Sequence, residues 1–230
     1  MKRAAFVFLA IVLVALVFPA SSWAMAAPEQ VSLTVVEMAS DRGVISAFSI
    51  PPSDDSSTNG DYRLLRYHWT TTAAYWVNTA NPYGLDPSGV LDAVRASAET
   101  WDAETTFAVF SYSGTTTSSA GVRDGLNVVS FGSYKAGVIG VTFIWSTGNR
   151  VVETDTMLNT YYVWSLTGEP GKMDVQNIMT HEFGHWAGLA DLYKDRDYWL
   201  TMYGYSNFGI TYQRTLGLGD VLGLRAVYGP

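Results

Sequence analysis

The chain contains no cysteine, only three histidines and few charged residues, 15% of its 230 positions. The absence of cysteine excludes disulfides, a lipoprotein anchor and thiolate metal ligands. Stability must therefore come from an apolar core. Apolar residues make up 48% of the chain and aromatic residues 14%, which is enough for one. The length fits one domain better than two.

Long apolar runs are also absent, with one exception at the start of the chain. Lys2 and Arg3 precede an uninterrupted apolar stretch over residues 4–18, and residues 24–26 (Ala-Met-Ala) form a small-x-small cleavage site. This pattern predicts a secretion signal over residues 1–26 and a secreted, extracellular mature protein. A retained membrane anchor is the alternative, although the run is short for a spanning helix.

Basic residues are in deficit. Once the two basic residues of the signal are removed, 12 lysines and arginines remain of the 14, against 21 aspartates and glutamates, a net charge of −9. An acidic exterior argues against nucleic acid as a partner and against anionic membrane surfaces after signal cleavage. We expect a soluble monomer.

Two of the three histidines lie in one stretch with the pattern H-E-x-x-H-x-x-G-x-x-D, from His181 to Asp191. Positions i and i+4 share a face of a helix, so His181 and His185 can hold one ion. Glu182 can reach a water on that ion. A catalytic zinc takes three protein ligands and keeps one position open. Gly188 can end the helix in a left-handed turn and bring Asp191 to the metal as third ligand.

Other residues compete for these roles. Asp195 and Asp197 follow soon after and are alternative third ligands, although their Lys/Asp/Arg surroundings are typical of a solvated loop. The third histidine, His68, lies between two aromatic residues, and we expect it to have a packing or hydrogen-bonding role. An ordinary amphipathic helix that carries two histidines by chance is the remaining alternative.

The stretch resembles the zinc motif of the metzincins, secreted zinc endopeptidases with the pattern H-E-x-x-H-x-x-G-x-x-H/D. That family has a methionine turn below the metal, and Met202 in Met-Tyr-Gly-Tyr matches it. The resemblance is greatest to the matrixin branch, where a short last helix ends near Leu-Tyr-Gly; residues 219–229 here end in Val-Tyr-Gly. Peptidases of the snapalysin type also have an aspartate at the third ligand position.

Three departures from the matrixin pattern matter. The third ligand is Asp191 rather than histidine, which changes the charge at the metal. Gly204 replaces the proline of the methionine turn, and it also stands where astacin-like members have a metal-binding tyrosine. The neighbouring Tyr203 and Tyr205 would then shape the substrate pocket. Without cysteine, the cysteine switch that keeps many matrixins latent cannot operate.

The resemblance implies an α+β fold, with a twisted mixed sheet over helices that include the zinc helix and the methionine turn. It also implies a zinc-dependent endopeptidase that acts on proteins or peptides, in which Glu182 activates a zinc-bound water. An extended substrate would add to an edge strand beside the cleft. Calcium is a further candidate cation. A non-catalytic zinc-binding module and a metal hydrolase of a non-peptide amide are the alternatives.

Residues 27–61 precede the expected catalytic domain at 62–230. Alternating apolar residues near Val31 to Val35 predict a strand, with residues 44–50 as a candidate partner, and residues 51–60 have the composition of a linker. The segment is either a short propeptide or an extension packed on the domain. Asp54 or Asp55 could cap the zinc in a latent form, although a solvated linker fits the composition better.

Within residues 62–230 the patterns alternate between strand and helix. Asp86 is a good N-cap for a helix that runs to Trp101, and Asp174 is a good N-cap for the motif helix. A last helix should finish at Tyr228, with Val221, Leu224 and Val227 on the core. Strands are predicted over residues 67–69, 75–77, 107–112, 126–131 and 138–145, and an edge strand over residues 153–159.

Overall fold

The computed structural model describes residues 30–40 and 54–230. The strands of this part are β1 (Ser32–Ser40), β2 (Ala73–Val77), β3 (Phe110–Thr115), β4 (Asn127–Gly132), β5 (Val138–Thr147), β6 (Arg150–Asn159), β7 (Trp164–Ser165), β8 (Met173–Asp174) and β9 (Tyr205–Ser206). The helices are α1 (Pro87–Asp102), α2 (Val175–Trp186) and α3 (Leu218–Tyr228). None of the helices described has the length and hydropathy needed to cross a bilayer. The predicted signal and the predicted strand at residues 44–50 lie outside these residues.

Seven strands form one mixed sheet in the order β3-β2-β4-β6-β5-β1-β9. Strand β5 runs antiparallel to both of its neighbours, and the other adjacent pairs are parallel. Strands β7 and β8 form a separate parallel pair. The chain is therefore of the α+β class with a mixed sheet, as expected.

Helix α2 packs against both the sheet and helix α1. The indole Nε1 of Trp101 on α1 donates to the carbonyl of Thr180 on α2 at 2.7 Å. On its other side, α2 buries Phe183 against Tyr75 and Phe110, with ring centroids 5.3 and 4.9 Å apart. These aromatic contacts fix the helix on the sheet, so that its remaining face is available for a site.

The predicted helix ends are confirmed. The carboxylate of Asp86 accepts from the Gly89 N–H at 3.0 Å at the start of α1. The carboxylate of Asp174 accepts from the Asn177 N–H at 2.9 Å at the start of α2. Helix α3 finishes at Tyr228, and Gly229 beyond it has a φ of 80°. Short polar side chains at helix N-termini satisfy N–H groups that have no partner within the helix.

The prediction of an edge strand at residues 153–159 is wrong, because β6 lies inside the sheet between β4 and β5. Its polar side chains from Glu153 to Asn159 are buried, and two of them accept hydrogen bonds from backbone N–H groups of β4 and of the loop before it. Asp155 accepts from the N–H groups of Gly121 and Val128, both at 2.8 Å. The carboxylate of Glu153 accepts from two more backbone N–H groups of that loop. Polarity within this strand therefore reflects loop binding rather than exposure.

Two other strand predictions need correction. Residues 67–69 form no strand, and His68 makes one isolated bridge to Arg150. Strand β3 begins at Phe110 rather than at residue 107, because the Asp102 carboxylate takes the N–H groups of Val109 and Phe110. A side-chain acceptor that captures backbone donors competes with sheet pairing.

The described part of the lead-in segment and the last helix pack on the rest of the domain in ways that the sequence indicated only in part. Strand β1 confirms the strand predicted near Val31 to Val35, and its described partners are β5 and β9. Further along the lead-in segment, the Ser56 carbonyl accepts from the Leu218 N–H at 2.6 Å. On α3, Leu224 is buried as predicted, whereas residues 221 and 227 are only half-buried.

Candidate metal centre

Helix α2 presents both motif histidines on one buried face. His181 and His185 are one helical turn apart, and their ring centroids are 4.8 Å apart with the rings nearly perpendicular. Neither side chain has appreciable exposed surface. Side chains at i and i+4 project from neighbouring turns of the same face, which is why this spacing brings two imidazoles together.

Each imidazole is oriented by a backbone carbonyl. The Nδ1 atom of His181 lies 2.8 Å from the carbonyl oxygen of Thr201, and that of His185 lies 2.9 Å from the carbonyl oxygen of Leu189. Because a carbonyl can only accept, Nδ1 carries the proton in both rings. The Nε2 lone pairs are then free to bind a metal, the usual arrangement for histidine ligands.

Gly188 ends the helix and returns the chain toward these lone pairs. Its φ of 93° is in the left-handed region that favours glycine. The Leu189 N–H donates back to the Gly184 carbonyl at 2.9 Å, which closes the turn. Asp191, three residues after Gly188, then brings its Oδ1 to 3.1 Å from His181 Nε2 and 3.5 Å from His185 Nε2.

The three ligand atoms fit a metal ion. His181, His185 and Asp191 each offer one buried atom, and these atoms lie within 4.8 Å of one another. Within the described residues, none of the three has a partner with hydrogen-bond geometry. Buried polar atoms without partners are costly, and a shared cation would satisfy all three at once. This group could therefore hold a metal ion, with the donor set that the sequence predicted.

The other candidate ligands are not part of this group. Asp197 is buried and accepts from the Asn59 side chain at 3.2 Å, while Asp195 begins a short 3-10 turn. His68 packs edge-on against Tyr228, with ring centroids 6.3 Å apart. Asp54 and Asp55 lie in a turn that precedes the domain, and Asp54 accepts from the Ser56 N–H. In residues 30–40 and 54–230, Asp191 is thus the carboxylate that meets the two histidines.

The charges around His185 and Asp191 shift the pKa values of both groups. Burial by itself lowers the pKa of His185, but the Asp191 carboxylate, together with Glu182 and the Leu189 carbonyl, outweighs burial and raises that pKa to about 9. Burial raises the pKa of Asp191, yet the two imidazoles hold it below its usual range. The carboxylate thus attracts positive charge to the point where the ligand atoms meet. A cation at that point would compete with the histidine proton.

Glu182 lies on the sheet side of this group and is completely buried. Its Oε2 accepts from the Thr142 hydroxyl on β5 at 2.6 Å, and its Oε1 has no hydrogen-bond partner among the described residues. A Cβ atom on Gly140 would lie only 2.3 Å from Oε1, so glycine at this position is what admits the carboxylate. Burial raises the pKa of Glu182.

A chain of hydrogen bonds keeps the Thr142 hydroxyl directed at the Glu182 carboxylate. The Trp186 indole donates to Thr156 Oγ1 at 2.8 Å, and Thr156 Oγ1 lies 2.6 Å from Thr142 Oγ1. Because Thr142 has one proton and gives it to Glu182, Thr156 must donate to Thr142. The hydrogen bonds of this network then all run the same way, from the Trp186 indole to the Glu182 carboxylate. Glu182 is therefore oriented by side chains that are fixed in the core.

Met202 supports α2 beneath the two histidines. A Cβ atom on Gly184 would lie 2.1 Å from the Met202 sulfur, so the thioether rests directly on the helix backbone between His181 and His185. The backbone at residues 201 and 202 is held by Asp220 on α3, whose carboxylate accepts from the N–H groups of Thr201 at 2.8 Å and Met202 at 3.0 Å. Asp220 thereby positions the Thr201 carbonyl that orients His181.

Glycine at position 204 has a steric reason. A Cβ atom there would lie 2.5 Å from Cε1 of Tyr193 and 3.1 Å from Cβ of Asp191. Any larger residue would therefore push on the segment that carries Asp191. Tyr203 and Tyr205 flank the position, with ring centroids 5.6 Å apart, and Tyr205 also packs on Tyr193. This aromatic cluster borders a cavity of about 410 Å³ lined by residues 61–63 and by Asp191, Leu192, Tyr193, Lys194 and Asp197.

Sequence reasoning missed Thr142, Asp220 and Tyr193. Thr142 lies in an apolar strand, where a single threonine gives no signal, and Asp220 carries a helix-capping pattern that explains it without reference to the metal centre. For Tyr193 the sequence carried only a weak indication, its position two residues after the third candidate ligand. Comparisons with protein-family models and with curated proteins find no match for this chain.

Proposed function

We propose that the chain is a secreted zinc-dependent endopeptidase with a metzincin-type, matrixin-like catalytic domain at residues 62–230. The observation that carries the proposal is the convergence of three buried ligand atoms without partners, next to a buried glutamate with one free oxygen. Two imidazoles and one carboxylate form the three-ligand set of a catalytic zinc, which keeps a position for water or substrate. The resemblance of the motif supports the same function.

When bound, zinc would supply Lewis-acid polarisation of the scissile carbonyl and acidify its water. The roles of the chain's own residues follow from their positions. His181, His185 and Asp191 hold the ion, and Glu182 Oε1 accepts the proton of the attacking water. Glu182 then delivers that proton to the leaving amine. Thr142 keeps the other oxygen of Glu182 fixed, so that one oxygen alone is available for proton transfer.

Burial of Glu182 suits this role. A carboxylate removed from water has a raised pKa and is a stronger base than an exposed one. The Met202 sulfur under Gly184 and the Asp220 contacts to the following turn keep the ligand helix rigid. Rigid support of this kind limits the reorganisation that a site must undergo during reaction.

Two alternatives predict different outcomes. A non-catalytic zinc module has no use for a general base, and its metal would be closed by a fourth protein ligand. Within the described residues the group supplies three ligands, and Glu182 lies beside it. A metal hydrolase of non-peptide amides shares the chemistry but would not cleave proteins. Calcium, the further candidate cation, remains an expectation.

The deciding experiment is casein hydrolysis by the purified secreted chain, with and without a zinc chelator. We expect hydrolysis at internal peptide bonds that stops with the chelator and returns on addition of zinc. Bound zinc without any hydrolysis, both by the full chain and after removal of residues 27–61, would favour the non-catalytic module. Turnover of small amides without protein cleavage would favour the other hydrolase.

A further inference from the structure

Strand β1 fills the space between β5 and β9 beside the metal centre, and we call this space the groove. Strand β1 adds antiparallel to β5, in register from Ser32 opposite Ser146 to Met38 opposite Gly140. On its other side it pairs in parallel with β9, and the Ala39 N–H donates to the Gly204 carbonyl at 3.1 Å. The strand is thus held by backbone hydrogen bonds on both sides. Its pairing with β5 is of the kind by which a peptide adds to a sheet edge.

Both walls of this groove contact the proposed catalytic groups. Gly140, opposite Met38, lies directly against the Glu182 carboxylate, and Gly204, which accepts from Ala39, lies against Asp191. The C-terminal half of β1 therefore runs between the backbone that borders the proposed base and the backbone that borders the proposed third ligand. A substrate could not pair with these walls while β1 does.

The side chains of β1 divide into an inner and an outer set. Directly opposed residues of an antiparallel pair point to the same face, so Met38 faces the same side as Gly140, toward Glu182. Met38 is 0% exposed and belongs to the apolar core. On the opposite face Leu33 and Val35 are 52% and 41% exposed. Met38 is therefore the side chain through which β1 fills the groove.

Polar contacts also fix the register of β1. The Glu37 carboxylate accepts from the Tyr134 hydroxyl at 2.7 Å and pairs with the Lys135 ammonium at 2.8 Å. The hydroxyl contact is part-buried, whereas the ion pair lies near the surface, where such pairs contribute little stability. The strand is thus attached by a ladder, one buried side chain and polar contacts. A competing peptide could supply all of these interactions.

We propose that β1 is an internal occupant of the substrate groove, which keeps the chain latent while it is bound. The peptide that replaces β1 carries a long, unbranched apolar side chain at the position of Met38. The inference rests on the proposed function, because it assigns the groove to that function's substrate. It implies that β1 must leave the sheet, by displacement or by removal, before a protein substrate is cleaved.

The test uses the full chain with two variants that release β1 through different contacts. Met38→Asp introduces a charge at the buried position of Met38, and Ala39→Pro removes the N–H that donates to the Gly204 carbonyl. Leu33→Asp, the same kind of change at an exposed position of the same strand, is the matched control. Each variant is also prepared with Glu182→Ala, so that peptide binding can be measured without turnover.

Binding of a fluorescent peptide with the sequence of residues 32–40 is the first measurement, by fluorescence anisotropy. We expect saturable binding to both release variants and at least tenfold weaker binding to the wild type and to Leu33→Asp, whose grooves are filled. A peptide with aspartate in place of its methionine should bind at least tenfold more weakly. Casein hydrolysis by the forms that retain Glu182 should rise at least tenfold in the release variants only.

The outcomes separate this inference from the proposed function. Peptide binding without casein hydrolysis would support the groove and contradict the endopeptidase. Casein hydrolysis by the wild type at the rate of the release variants would overturn latency. Loss of the folded state in both release variants, seen as loss of the near-ultraviolet circular dichroism, would make β1 a permanent strand and overturn the inference. Folded release variants that do not bind the peptide would overturn it as well.

Discussion

The helix side of the metal centre comes from one short stretch of chain, whereas the sheet side combines β1 with the consecutive strands β5 and β6, which lie far from β1 and from that stretch in the sequence. On the helix side, residues 181–191 supply all three ligands together with the glycine that turns the chain back. On the sheet side, Glu182 meets Gly140 and Thr142 of β5, Thr142 in turn contacts Thr156 of β6, and β1 pairs with β5.

This contrast separates two kinds of requirement. Ligand spacing follows from helix geometry, so a few residue types at fixed positions suffice to hold an ion. The orientation of the base and the shape of the groove depend on which strands are neighbours, and no local pattern encodes them. Metal binding should therefore be sensitive to changes on the helix side, while rate and accessibility should be sensitive to changes on the sheet side.

Glu182→Ala is expected to have the largest effect on rate. Removal of the base should lower kcat by about 10²- to 10⁴-fold, the usual contribution of general base catalysis. Zinc content should stay at the wild-type level, because Glu182 is not among the ligand atoms. The measurement is casein hydrolysis in the Met38→Asp background, in which β1 is released, with metal analysis on the same preparation. Near-normal hydrolysis by the variant would contradict the role of Glu182.

Thr142→Val probes the sheet side alone. The change removes the hydroxyl that donates to Glu182 at 2.6 Å and keeps the shape of the side chain. A hydrogen bond to a charged group contributes about 1.5–3 kcal/mol, so kcat should fall roughly 10- to 100-fold. Thr142→Ser retains the hydroxyl and should keep most of the rate. Equal losses in both variants would mean that packing, rather than the hydrogen bond, positions Glu182.

Gly184→Ala tests the support beneath the ligands. The added methyl group would meet the Met202 sulfur at 2.1 Å, and overpacking of this kind costs about 1–3 kcal/mol of stability. Met202→Ala should relieve the clash, so the double variant should lose less stability than the sum of the two single changes. Denaturant unfolding of the metal-free proteins measures this coupling. Additive losses would show that the two groups do not touch.

Local patterns in the sequence were sufficient for the helix side and insufficient for the sheet side. The pattern from His181 to Asp191 predicted the ligand group, and Asp86 and Asp174 predicted where two helices begin, because caps and helical spacing are local. Strand order is not local, so residues 153–159 were expected at an edge, although β6 lies inside the sheet. The contact of Thr142 with Glu182 and the buried position of Met38 depend on the same long-range pairing of strands.

Asp155 affects stability rather than rate, through a pH dependence on the sheet side. Burial raises its pKa to about 7, whereas an unfolded aspartate titrates near about 3.9. Between these values the native chain binds a proton that the unfolded chain lacks. The free energy of unfolding should therefore fall as pH rises from about 4 to about 7.

Asp155→Asn should flatten that pH dependence in the metal-free protein, measured as the denaturant midpoint at several pH values. Asp92→Asn, which removes one carboxylate from the surface, controls for the change in net charge. Equal slopes for the wild type and Asp155→Asn would contradict the assignment.

The most direct test of the account is the zinc content of purified wild type, Asp191→Ala and Asp195→Ala, measured by metal analysis after dialysis against a dilute chelator. Loss of a ligand should cost at least the roughly 10- to 100-fold in affinity that loss of an outer-shell partner costs. We expect one zinc per chain for wild type and Asp195→Ala and almost none for Asp191→Ala. Full zinc in Asp191→Ala, with loss in Asp195→Ala, would contradict the metal centre described for this chain.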